Sequence, residues 1–207
     1  MTDQPIKAIE TRYKGFRFRS RLEARWAVFL DTLGVKWEYE KEGYSLGDGV
    51  YYLPDFYLPD MTSWLEVKGR PFEMYDETWQ KASLLSANAG ELLPVGADED
   101  WHPTYVYVFC GQFAHPNNVM GYTFRGLEHL SKEEAQEWFN KYPNDNRGFP
   151  DHCWWFQCPV CKLWQPGRTK TTLPCECIEV TAPGDQPDLW HAIEKAKQAR
   201  FEHGERG

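Results

Sequence analysis

From Ser20 onward the apolar positions fall at helical spacing: Leu22, Trp26, Phe29, Leu30 and Leu33 form one stripe, and Gly34 ends it. The stretch before it, Arg12 to Phe18, alternates charged and aromatic residues instead. Beyond Gly34, Val35–Tyr39, Val50–Leu58 and Trp64–Lys68 read as extended runs. A turn-rich link over Tyr44–Gly49 and turn chemistry over Pro59–Ser63 separate them. This order predicts a helix followed by a three-stranded meander. Gly69 and Pro71 break the chain, and Glu73–Ala89 is predicted helical with Trp79, Ala82 and Leu85 turned inward. Short strands are predicted over Leu92–Val95, Tyr105–Cys110 and Met120–Phe124. Ser131 and Glu134 supply a capping box for a short helix ending near Tyr142, a polar loop covers Pro143–Asp151, and Leu189–His203 is predicted as a charged closing helix. The expected fold class is α/β, with a body over residues 1–142, a cysteine-rich unit over 152–178 and a C-terminal helix within 185–207.

Chemistry enters this pattern at the ends of the second and third extended runs. Alternate side chains of a strand share a face, so Glu66 and Lys68 point one way while Leu65 and Val67 point to the apolar side. If the intervening turn closes a hairpin, Asp55, preceded by Pro54, comes to lie near the Glu66 face. Two carboxylates and an ammonium would then converge. Carboxylate oxygens bind Mg²⁺ or Mn²⁺, which neutralises a scissile phosphate and polarises water, and the Val67 carbonyl is a candidate further ligand. Lys68 is placed to orient the water, assist its deprotonation or stabilise the transition state. The competing view is an exposed Glu66–Lys68 ion pair with Asp55 as a turn residue. Against it, Asp55 sits in the apolar stretch LPDFYLPD, where an unpaired carboxylate is costly.

Pro54-Asp55 followed by Glu66-Val67-Lys68 resembles the PD-(D/E)XK nuclease superfamily of restriction-endonuclease-like folds, over roughly Tyr13 to Val95. The segment Tyr13 to Trp26, YKGFRFRSRLEARW, is similar to the first helix of small phage and mobile-element members related to transposon end-cleaving nucleases. The resemblance implies a core of helix, three-stranded meander, helix and strand. It further implies metal-dependent cleavage with Asp55, Glu66 and Lys68 as catalytic residues, and Glu23 on the first helix completing the metal site. Glu23 equally fits a capping box with Ser20, in which it serves only the helix start.

Five of the six cysteines fall between Cys153 and Cys177. Cys158-Pro-Val-Cys161 has the spacing of a metal knuckle, and Cys175-Glu-Cys177 can complete a four-thiolate structural zinc site, with His152 or Cys153 as alternative ligands. Trp154, Trp155, Phe156 and Trp164 surround it and are read as packing residues, with base stacking and phosphate contacts by Lys162, Arg168 and Lys170 as an addition. Cys110 is read as a core residue.

Charge changes the picture locally rather than globally. The formal net charge of −8 argues against a protein that coats nucleic acid through bulk charge. Yet Lys7, Arg12, Lys14, Arg17, Arg19, Arg21 and Arg25 face only Glu10 and Glu23 in the same stretch. The last six of these cations are the candidate phosphate contacts, and DNA is the expected partner. No apolar run approaches the roughly 18 residues of a membrane span, and the first residues lack an apolar signal core, so a cytoplasmic location is expected. A single site cuts one strand, which makes a homodimer or a larger nucleoprotein complex attractive. The alternative function is a non-catalytic nucleic-acid-binding or assembly protein that retains the fold.

Overall fold

A computed structural model describes residues 8–47, 49–70, 76–92, 105–110, 113, 121–124, 151–167, 171–172, 175, 177, 179–180 and 186–201. The chain begins with a hairpin, β1 (Thr11–Tyr13) and β2 (Phe16–Phe18). Its turn residues Lys14 and Gly15 both have positive φ, 47° and 85°, which matches the twist of a tight hairpin. Helix α1 (Arg21–Leu33) starts at Ser20, whose extended backbone places Oγ to accept from the Glu23 amide, and stops at Gly34 in the left-handed region. The stripe Trp26, Phe29, Leu30 and Leu33 is buried, as the spacing predicts.

The main sheet has seven strands among the described residues. β3 (Glu38–Tyr39), β6 (Phe56–Leu58) and β7 (Ser63–Lys68) form an antiparallel meander. A small hairpin, β4 (Tyr44–Ser45) and β5 (Tyr51–Tyr52), is inserted between β3 and β6. The extended run expected over Val50–Leu58 is therefore two strands. Pro54 lacks an amide hydrogen, and β5 pairs with β4 whereas β6 pairs with β3 and β7. From β7 the chain passes through helix α2 (Glu77–Leu92) to β8 (Val106–Cys110), which lies parallel to β7 with Glu66 opposite Val108. Asp76 opens α2 by accepting from the Trp79 amide at 2.9 Å. Residues 73–75 of the predicted helix lie outside the described residues, and Leu92 belongs to α2, not to a strand. The rest of that strand, the helix predicted over 131–142 and the loop over 143–150 also lie outside them.

Beyond β8 the sheet continues through β9 (Gly121–Phe124), β10 (Asp151–Gln157) and β11 (Trp164–Gly167), all antiparallel. The first half of the cysteine-rich segment, predicted as an insert over 152–178, thus extends the main sheet. The cause is alternation along β10. Cys153 and Trp155 face the large core, whereas Trp154, Phe156 and Cys158 cluster on the other side with Cys175. Two further short strands, β12 (Thr171–Thr172) and β13 (Glu179–Val180), pair antiparallel.

Helices cover both faces. Leu65, Val67, Tyr107 and Phe109 pack toward α1 and helix α3 (Pro187–Gln198), which lies on α1 through Leu189, Ala192, Ile193 and Ala196. Trp64, Val106 and Val108 pack toward Trp79, Ala82 and Leu85 of α2. α3 ends at Gln198, five residues before the predicted end at His203, because Ala199 leaves helical geometry at ψ 121°. The chain is mixed α/β, with three helices among the described residues. Among those residues no helix is long and apolar enough to cross a membrane.

Candidate functional site: a carboxylate cleft and a cysteine cluster

β7 alternates as expected, but its polar face is not exposed. Glu66 shares the face of Trp64 and is only 4% exposed, enclosed by the Tyr52 hydroxyl, the Asp55 amide and the Lys68 ammonium. Asp55 stands just before β6, opposite the Glu66–Val67 step, and is 3% exposed. Each carboxylate is anchored through one oxygen. Asp55 Oδ2 accepts from the Val67 amide at 2.8 Å. Glu66 Oε2 accepts from the Tyr52 hydroxyl at 3.1 Å and from the Asp55 amide at 3.3 Å. The remaining oxygens meet long cationic side chains: Asp55 Oδ1 the Arg19 guanidinium at 2.8 Å, and Glu66 Oε1 the Lys68 ammonium at 2.5 Å. Arg19 and Lys68 are 54% and 37% exposed, so both reach solvent.

These groups line an open cleft of about 540 Å³, together with Glu23, Leu53 and, from α2, Glu77, Thr78 and Lys81. Burial, and then the charges of Glu66 and Glu23, hold the Asp55 carboxyl well above the usual carboxylate range, against the opposing pull of the Val67 amide and Arg19. Burial disfavours the Lys68 ammonium, but Glu66 and Asp55 outweigh it and raise its pKa. Burial and the Glu66 charge also push the Tyr52 phenol up, so it remains a donor at neutral pH.

Glu23 performs the capping role and also faces the cleft. Its amide donates to Ser20 Oγ at 3.2 Å, and Ser20 Oγ lies 2.6 Å from Glu23 Oε1. Glu23 Oε2 accepts from the Arg19 amide at 3.1 Å and from the Tyr39 hydroxyl at 2.5 Å. The return bond of this capping box therefore reaches Arg19, one residue before the cap. The sequence offers two roles for Glu23, and one side chain is placed for both.

In the cysteine cluster, the Sγ atoms of Cys158, Cys161, Cys175 and Cys177 all lie within 4.8 Å of one another. A tight turn brings the first pair together: the Lys162 amide donates to the Cys158 carbonyl at 2.9 Å, and Lys162 itself has φ 63°. Gln165 ties the second pair to β11. Its Oε1 accepts from the Cys175 amide at 2.8 Å, and its Nε2 lies 2.9 Å from Cys175 Sγ. Burial opposes ionisation of Cys158, but the amides of Cys161 and Val160 outweigh it and bring the thiol down to about 7. The Cys177 thiol is pushed up to about 12, first by its hydrogen bond with Cys175. Four sulfur donors around one point can hold a metal ion. Cys153 is not among them; it is fully buried in the main core, on the opposite face of β10.

No family model, no curated protein and no solved structure matches this chain.

The structure gathers Asp55, Glu66, Val67, Lys68 and Glu23 around one cleft. Val67 contributes its amide, through Asp55, while its side chain is buried in the core. The six basic residues of the N-terminal stretch have different surroundings. Lys14 pairs with Asp31 at 2.9 Å, Arg17 pairs with Glu10, and Arg19 pairs with Glu40 and Asp55. Of the six, Arg19 lines the cleft; Arg12 is exposed, and Arg21 and Arg25 are half-buried. Trp155 and Trp164 pack in the main core, in keeping with a packing role, while Arg168 and Lys170 lie outside the described residues. Tyr52, Tyr39, Glu40 and Gln165 were not singled out from the sequence. Alternation around the β4–β5 turn hints that Tyr52 points inward, but its partner Glu66 lies 14 positions away on another strand.

Proposed function

We propose that this chain is a divalent-metal-dependent endonuclease that hydrolyses phosphodiester bonds in DNA, on a restriction-endonuclease-like core with a structural zinc site. The observation that carries the proposal is the split duty of the two buried carboxylates. One oxygen of each is fixed by donors of the protein frame, and the other is turned toward the cleft, against a partly exposed cation. Hard oxygen donors held in this way suit Mg²⁺ or Mn²⁺. A divalent ion held there supplies charge neutralisation at the phosphodiester and a polarised water. Asp55 and Glu66 would hold it, with Glu23 supporting from α1. Lys68, raised in pKa and so protonated at neutral pH, donates to the attacking water or to a phosphate oxygen. Tyr52 and the Asp55 amide keep Glu66 in place. The element order of α1, the meander β3–β6–β7, α2 and parallel β8 supports the fold assignment.

The cysteine cluster favours zinc through its all-thiol donor set, its knuckle turn and the thiol brought down to about 7. Its place at the end of the β10–β11 hairpin supports a stapling role.

The test is divalent-dependent cleavage of plasmid, branched and single-stranded DNA by the full chain. Asp55→Ala, Glu66→Ala and Lys68→Ala are each expected to lower the rate by about a hundredfold or more. Metal-dependent cleavage that survives in both Asp55→Ala and Lys68→Ala refutes the assignment. DNA binding without cleavage of any substrate, and without metal binding at Asp55, would favour a non-catalytic nucleic-acid-binding protein.

A further inference from the structure

We infer that Arg19 is a displaceable clamp: it holds Asp55 until a divalent ion takes that carboxylate, and it then turns to a phosphate of the substrate. This rests on the nuclease proposed above. The Arg19 guanidinium spans two carboxylates, with Nη2 at 2.8 Å from Asp55 Oδ1 and Nε at 2.6 Å from Glu40 Oε1. Its partners differ in kind. Asp55 is buried and belongs to the metal-binding pair, whereas Glu40 is a quarter exposed and not part of the cleft lining.

Arg19 is tethered at its base and along its side chain. Its backbone amide faces Glu23 Oε2 and the Tyr39 hydroxyl, each at 3.1 Å. Glu40 is fixed in turn. It occupies the left-handed region at φ 43°, costly for a non-glycine residue, and its amide donates to the Asp55 carbonyl at 3.0 Å. The same short segment therefore holds Asp55 by its backbone and Arg19 by its side chain.

Arg19 and a divalent cation compete for Asp55 Oδ1, because both need the oxygen's lone pairs and repel each other. Once displaced, the guanidinium keeps Glu40 on Nε and presents its two terminal nitrogens at the wall of the cleft. Those nitrogens match the oxygens of a phosphate. In this way the cation that neutralises Asp55 before metal binding becomes a substrate contact after it. Glu40 acts through Arg19 and is a positioning residue.

The experiment uses the full chain. In Mn²⁺ titrations by calorimetry without DNA, with Asp55→Ala as the reference for other sites, Arg19→Ala is expected to bind up to about fivefold more tightly, the worth of one half-exposed ion pair. Glu40→Gln is expected to weaken Mn²⁺ binding in the wild-type background and to add nothing in Arg19→Ala, whereas a through-space charge effect would add in both. Binding of a short labelled duplex, followed by anisotropy, is expected to weaken several-fold in Arg19→Ala with Ca²⁺ present and to stay unchanged without divalent ions. Arg19→Lys should recover part of the Ca²⁺-dependent binding. Additive effects of the two substitutions, or equal loss of duplex binding with and without Ca²⁺, overturn the inference. If wild-type protein binds metal and cuts DNA while Arg19→Ala is unchanged in every readout, the clamp alone is wrong. If wild-type protein shows no Asp55-dependent Mn²⁺ binding, the clamp and the nuclease proposal fall together.

Discussion

Replacing Asp55 with Asn should abolish the proposed cleavage and yet stabilise the protein at neutral pH. The ionised Asp55 carboxylate is 3% exposed and lies beside Glu66 and Glu23, so its charge carries a desolvation and repulsion penalty of several kcal/mol. Two contacts offset it. The pair with half-exposed Arg19 is worth at most about 1 kcal/mol after solvent screening. The charged bond from the Val67 amide is worth about 1 kcal/mol more than the neutral bond that Asn could keep. The balance favours Asn by about 1 kcal/mol, or roughly 2–4 °C in Tm for a chain of this size. The pH dependence follows from linkage. The folded-state pKa of Asp55 is raised, so its protonated form stabilises the fold at low pH, and that contribution is lost as pH rises through the raised value. The gap between Asp55→Asn and wild type should therefore open as pH rises from the ordinary carboxylate range through the raised Asp55 value, and close toward acid. Thermal melts across that range, with and without Mn²⁺, provide the assay, and Mn²⁺ should raise the wild-type Tm far more than that of the variant. A variant that melts below wild type at pH 7–9, or a gap that narrows with rising pH, refutes the reasoning.

Other substitutions separate roles that overlap in the structure. Tyr52→Phe removes a buried donor to Glu66 and should lower stability by about 1 kcal/mol while weakening Mn²⁺ binding severalfold, read by melts and calorimetry. Ser20→Ala should cost about 1 kcal/mol of stability and leave cleavage per folded molecule nearly intact, whereas Glu23→Ala should lower both; equal cleavage by the two variants would reduce Glu23 to a cap. Metal analysis should find about one zinc per chain, lost in Cys158→Ser, with a fall in Tm. Gln165→Leu should keep all four thiols and still lose zinc about ten- to a hundredfold more readily to a competing chelator, since it frees Cys175 from β11.

Much of the local structure is legible in the chain because it depends on near neighbours. The apolar stripe of α1, its Ser20 start and its Gly34 stop are short-range features, and each is found where the spacing puts it. The two-residue period of β7 assigns Glu66 to one face and Val67 to the other. The C-x-x-C spacing likewise announces a turn that a metal can close. Where several local signals compete, the chain is less readable. The run Val50–Leu58 looks continuous, and only the pairing of β5 with β4 and of β6 with its own neighbours divides it at Pro54.

Tertiary structure decided the partners of the charges. Sequence counts an excess of cations before Trp26, but folding ties Lys14 to Asp31, Arg17 to Glu10 and Arg19 to Glu40 and Asp55, leaving one of them at the cleft. It also decided that β10 and β11 complete the main sheet, since strand pairing is fixed by backbone bonds between distant segments. By itself, the sequence determined the residue types and their strand or helix faces, because side-chain direction follows from local backbone period. The buried carboxylates anchored through single oxygens, and the Arg19–Glu40 pairing beside them, required the fold: long-range hydrogen bonds and charge pairs depend on distances of a few ångströms that no local pattern encodes.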